Sequence, residues 1–75
     1  MLGKIFSDIA LKENLKFVGK SPSGIPVYDF NYIDNKEKRF RGVLAQDVPQ
    51  ASSTHSSGYQ MVDYSKIDVI FKQVN

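Results

Sequence analysis

The sequence has 75 residues, a hydrophobic fraction of 41%, four Tyr, five Phe, one His, no Cys and a formal net charge of +2. That length holds one folded domain, and the absence of Cys excludes disulfides and thiolate metal sites, while a lone His leaves no ordinary protein-only zinc site. Mixed charges exclude a nucleic-acid footprint, and no apolar run is long enough to span a bilayer or form a signal peptide.

No cofactor, metal, nucleic-acid or membrane partner is therefore expected. A chain this short buries only about 60% of its unfolded surface, so self-association is the expected source of additional stability.

In chain order, Ser7 and Asp8 are candidate N-caps for a helical turn or two over residues 9–15. Lys16-Phe17-Val18 reads as extended and is stopped by Gly19. Ser21-Pro22-Ser23-Gly24 has turn chemistry, because Pro fixes one φ and Gly permits a positive one. Residues 27–32 alternate, with Tyr28, Phe30 and Tyr32 on one face and Asp29 and Asn31 on the other, as in a half-buried strand. Asp34-Asn35-Lys36 turns the chain, and residues 39–44 return it as a hairpin with a charged, solvated tip.

Residues 45–48 form a connector ended by Pro49. The Ser-rich segment 50–58 reads as a polar loop in which His55 is an exposed bystander. Residues 59–62 give a third strand. Asp63 then caps a final helix carrying Ile67, Ile70, Phe71 and Val74 along one face. The expected fold class is α+β: a three-stranded antiparallel sheet with short N- and C-terminal helices, trimer-forming.

One residue pair suggests chemistry. A desolvated Lys12 can lose its proton and activate the Ser7 hydroxyl, with Phe6, Ile9, Leu11 and Leu15 supplying the apolar surroundings. Five residues of ideal helix rotate the two side chains by roughly 140°, and a strand points them to opposite faces. Ser7 must then lie outside the element that holds Lys12, or the two must meet across a subunit boundary. The plainer alternative is a helix cap at Ser7 with an Asp8–Lys12 i,i+4 ion pair. Asp47, Asp63 and Asp68 lack calcium-loop spacing, and Gly19 and Gly24 open no phosphate loop.

The run Ser7-Asp8-Ile9-Ala10-Leu11-Lys12-Glu13-Asn14-Leu15 resembles the opening signature of the chaperone-of-endosialidase family, the self-cleaving C-terminal chaperone domains of phage tail spikes, fibres and endosialidases. Tyr28-Asp29-Phe30-Asn31-Tyr32 looks like the family's aromatic strand. Arg39-Phe40-Arg41-Gly42-Val43-Leu44-Ala45-Gln46-Asp47-Val48-Pro49 looks like its next segment, and Val62-Asp63-Tyr64-Ser65-Lys66-Ile67 like its last block.

The resemblance implies a single-turnover serine endopeptidase with Ser7 as nucleophile, Lys12 as base, and Asp8 and Asn14 as candidate supporting residues. Its cleavage site is Phe6–Ser7, which divides the chain into a residual upstream segment, 1–6, and the chaperone domain, 7–75. The implied partners are two further copies of the chain, forming a homotrimer, and an upstream β-helical fibre or spike client. The implied location is the host cytoplasm during phage assembly, or the virion where no cleavage occurs. Two alternatives stand beside this reading: a non-cleaving structural or adaptor component of a phage virion, and a host-surface binding module.

Overall fold

The alternating aromatic run does form a strand, and the rest of the molecule is organised around it. A computed structural model describes residues 3–75. Strands β1 (Lys4–Phe6), β2 (Lys12–Lys20), β3 (Pro26–Tyr32), β4 (Asn35–Gly42), β5 (Ser52–Thr54), β6 (Gln60–Asp63) and β7 (Lys72–Gln73) make two antiparallel sheets. One has the order β2-β3-β4-β7 and the other β1-β6-β5. Short 3-10 turns lie at Ile9–Leu11, Ala45–Asp47, Pro49–Ala51 and Tyr64–Lys66.

The expected α+β class, with one three-stranded sheet and a helix at each end, is therefore incorrect: the described residues form an almost wholly β fold without any α-helix. At the N-terminal end, Asp8 does cap a turn, accepting the Ala10 N–H at 3.0 Å, but that turn ends at Leu11. From Lys12 the chain is extended and pairs with β3, Lys12 opposite Tyr32 and Phe17 opposite Tyr28. A seven-residue helix gains too few hydrogen bonds to offset its nucleation cost, whereas the aromatic strand offers a ready ladder. Asn14 takes φ of 55° where the β2 register shifts, a left-handed conformation that Asn tolerates.

At the C-terminal end, Asp63 caps a single turn by accepting the Ser65 N–H at 3.0 Å. The helical spacing of Ile67, Ile70, Phe71 and Val74 does not define a helix face. Ile70 is 79% exposed, whereas Phe71 stacks on Phe40 with ring centroids 5.3 Å apart. Extension lets β7 pair with β4 and lets the Asp68 carboxylate take the Ser23 N–H and hydroxyl, both at 2.8 Å.

The turn at residues 21–24 and the strand near residues 59–62 agree with expectation; the β3–β4 hairpin is also present, but it turns at Ile33-Asp34, and Asn35 and Lys36 already belong to β4. The Ser-rich loop is shorter than expected. Ser52–Thr54 pairs with β6, and Ser52 donates to the carbonyls of Ala45 and Val48, leaving a tight turn at residues 55–58.

The core draws on both sheets. Val43, Ala45, Val48, Ala51, Val62, Tyr64 and Val69 form its buried cluster, with Ile5 and Val27 among the residues packed against it. Of the expected upstream segment 1–6, residues 1 and 2 lie outside the described residues, and residues 4–6 are β1. Its register places Ile5 opposite Val62 and Phe6 opposite Met61. The pairing fixes where the chain leaves β1, and therefore where Ser7 sits.

Candidate active site

Ser7 occupies the junction between β1 and the first 3-10 turn, and its side chain is fully buried. Its backbone is held on both sides: its N–H donates to the Gln60 carbonyl at 3.1 Å, and its carbonyl accepts from Ala45 N–H at 2.9 Å. The Ser7 hydroxyl lies 3.3 Å from that of Tyr64, whose oxygen also receives the Val43 N–H at 3.0 Å.

Lys12 opens β2 and is 6% exposed. Its Nζ donates to the Val43 carbonyl at 2.6 Å and stands 4.0 Å from the centre of the Phe30 ring. Burial drives the ammonium from the ordinary lysine range down to about 7, against the opposing pull of the Asp8 and Asp47 carboxylates. The amine is therefore substantially neutral near pH 7 and has a lone pair available as a base.

Ser7 and Lys12 form no direct hydrogen bond. They converge on the backbone of one residue, from the two peptides that flank it: Lys12 holds the Val43 carbonyl, in the Val43–Leu44 peptide, and Ser7 reaches the Val43 N–H, in the Gly42–Val43 peptide, through the Tyr64 hydroxyl. The geometric condition set by their spacing is met within one chain, because a turn separates the two residues and Lys12 begins a different element.

Asp8 organises this junction. Its carboxylate accepts from the Ala10 and Gln60 N–H groups at 3.0 Å each and from the Gln46 side chain at 2.9 Å. Those donors, the Ala10 amide foremost, hold its carboxyl below the usual carboxylate range, so it stays an anion that ties the turn to β6. The Asp8–Lys12 i,i+4 ion pair of the plainer sequence reading is not formed, since Lys12 is buried on Val43.

Asn14 belongs to a different network. It donates to the Asn31 side chain at 2.8 Å, and Asn31 donates to Glu13 at 2.9 Å. Asn31 is itself 2% exposed, so the polar face expected for β3 is partly covered. His55 is exposed as expected, with its ring edge against Phe6, 4.9 Å between centroids.

The Phe6 carbonyl, which precedes Ser7, accepts the Tyr32 hydroxyl at 2.7 Å. Beside it runs an open groove of about 710 Å³ whose walls include Phe6, Leu11, Tyr32 and Met61. Sequence reasoning missed both Tyr32 and Tyr64 as site residues, treating the first as part of an aromatic core face. The available signal was chemical: a tyrosine in a core needs a partner for its hydroxyl. Among the described residues, no group of acidic or imidazole side chains is placed to hold a metal ion.

No protein-family model matches the chain. No curated protein and no solved structure matches it.

Proposed function

We propose that this chain is a self-cleaving chaperone domain, a Ser–Lys peptidase that acts once, on its own Phe6–Ser7 bond. The observation that carries the reading is the convergence of a fully buried Ser7, through Tyr64, and a buried, desolvated Lys12 on the backbone N–H and carbonyl of one residue, Val43. Burying a lysine without a carboxylate partner is costly, and functional sites are where such perturbed amines concentrate.

Rotation of the Ser7 side chain from Tyr64 towards neutral Lys12 activates the hydroxyl. Its oxygen then adds to the Phe6 carbonyl carbon, which is one residue away and needs no substrate pocket. The Phe6–Ser7 amide becomes an ester, and water entering by the adjoining groove hydrolyses it.

The folding role, as a trimeric clamp for an upstream β-helical fibre or spike, draws support from uncovered apolar surface. Leu15, Phe17 and Val18 are exposed on β2, which is the outer strand of its sheet. Such an edge is a site for pairing with another chain. Non-local β structure is slow to nucleate, and a C-terminal trimer lowers that cost by registering three chains.

The test is intact mass spectrometry of the full chain, alone and behind a trimeric β-helical segment, with Ser7→Ala and Lys12→Ala alongside. Cleavage between Phe6 and Ser7 in the wild type, absent from both variants, is expected. An intact wild type under both conditions would favour a permanent structural or adaptor role.

A further inference from the structure

Attack on a carbonyl carbon moves charge to the carbonyl oxygen, so a preset donor at that oxygen lowers the barrier. At Phe6 such a donor exists. The Tyr32 hydroxyl donates to the Phe6 carbonyl at 2.7 Å, within the range of a direct hydrogen bond. Three features fix its aim. Tyr32 lies opposite Lys12 in the β2–β3 ladder, so one rung positions both residues. Its ring packs edge-on against Phe30, centroids 5.3 Å apart, and against Phe40 at 5.6 Å. The Ile33 N–H, one residue on, donates to the Leu11 carbonyl at 3.0 Å and ties the end of β3 to the turn after Ser7.

We propose that Tyr32 is a catalytic residue of the self-cleavage, its hydroxyl donating to the Phe6 carbonyl oxygen and stabilising the charge that forms there when Ser7 attacks. This inference rests on the Ser–Lys reading above. The Ser7 proton passes to Lys12 Nζ as the Oγ–C bond forms, and the carbonyl oxygen becomes an oxyanion held by Tyr32. Collapse re-forms the carbonyl and breaks the bond to Ser7 N, which takes its proton from Lys12. Hydrolysis of the resulting ester by one water leaves a carboxyl at Phe6 and restores the Ser7 hydroxyl.

A donor in this role must keep its own proton. Burial, reinforced by neighbouring Tyr64 and Asp34, holds the Tyr32 phenol well above the usual tyrosine range. The position is also close to the groove, so the same carbonyl is within reach of the hydrolytic water.

Tyr32→Phe removes the hydroxyl and keeps the ring. In the full chain we expect cleavage to slow by roughly 100-fold or more, the effect of deleting one oxyanion donor. The pH midpoint of the rate, set by Lys12, should not move. Cleavage by Tyr32→Phe at the wild-type rate, with Ser7→Ala inert, would overturn the Tyr32 assignment and leave the Ser–Lys reading intact. Cleavage by Ser7→Ala, or none by the wild type either alone or behind the trimeric segment, would overturn both. Should Tyr32→Phe fail to fold, a ring-fluorinated tyrosine at position 32 keeps the shape and sharpens the acidity of the hydroxyl. A several-fold change in rate then supports the role, and an unchanged rate overturns it.

Discussion

The hydroxyls of Ser7 and Tyr64 lie 3.3 Å apart inside the core, and the Tyr64 oxygen also receives the Val43 N–H. Tyr64 therefore links the nucleophile to the residue whose carbonyl holds Lys12. Tyr64→Phe keeps the ring but strands the Val43 N–H in a buried place where every buried side-chain polar atom now has a partner. An unpaired buried donor costs about 1–3 kcal/mol. Urea denaturation in a Ser7→Ala background, which keeps the chain uncut, should show a loss in that range. No loss would mean that the Val43 amide finds another acceptor.

Lys12 sets the pH response. Because only the neutral amine accepts the Ser7 proton, the cleavage rate should rise with pH through about 7 and then level off. Lys12→Arg should be inactive, since a guanidinium cannot be deprotonated in proteins. A rate that falls between pH 6 and 8 would rule out the amine as base.

The same amine leaves a mark on stability. Between about pH 7 and the ordinary lysine range, the unfolded chain carries a proton on Lys12 that the folded chain has lost. Stability then rises with pH across this window and levels off at its lower value below about 7, where both states carry the proton. Burial raises the phenols of Tyr32 and Tyr64, which lowers stability above pH 10 or so, so the measurement belongs below that. Lys12→Met should flatten the rise measured by denaturation between pH 7 and 9.5 or thereabouts.

Local chemistry made much of the β architecture readable before folding. The Pro-Ser-Gly turn, the alternating aromatics of β3 and the Asp63 cap each depend on neighbours within a few residues. The two terminal segments were not readable in that way. Residues 12–15 lie in β2 because a partner strand, beginning at Pro26, offers pairing that an isolated helical turn lacks. Phe71 is extended because Phe40, remote in sequence, provides a ring to stack on.

The site shows the same division. Ser7 and Lys12 could be picked out by residue type, but the apolar neighbours expected to desolvate Lys12 include Ile9 and Leu15, which are 43% and 39% exposed. Phe30 and Val43 lie against the amine instead, and only the tertiary fold brings them there.

Gly42 tests how tightly this arrangement is built. A Cβ at this position would stand 2.5 Å from the Tyr64 hydroxyl and 3.0 Å from Phe71 Cδ1. Tyr64 cannot yield without leaving Ser7 and Val43, and Phe71 is stacked on Phe40. Gly42→Ala should therefore destabilise the fold by about 1–3 kcal/mol, as overpacking does. It should also slow cleavage more than Ala substitutions at exposed strand positions such as Lys38. Wild-type stability and rate together would show that Tyr64 has room to move.

Cleavage and release are separate events in this fold. The bond proposed to break follows β1, and β1 remains paired with β6 through Lys4, Ile5 and Phe6. Three paired residues with two half-buried side chains supply only a few kcal/mol, which corresponds to a dissociation constant near the millimolar range, roughly. Freed of its covalent link, a single strand of that affinity leaves on dilution. Cleavage itself adds to the drive, because it creates an amine at Ser7, where burial disfavours the charge. A trimeric client behaves differently, since three such strands held in one register rebind before all three let go. Size-exclusion chromatography at micromolar concentration, followed by denaturing mass analysis of each fraction, separates the cases. The fragment 1–6 should be lost from residues 7–75, whereas a cleaved trimeric fusion should elute with its chaperone domains still attached. Loss of the domains from the trimeric fusion at the same rate as the short fragment would mean that β1 detaches as independent strands, and that cutting alone completes release.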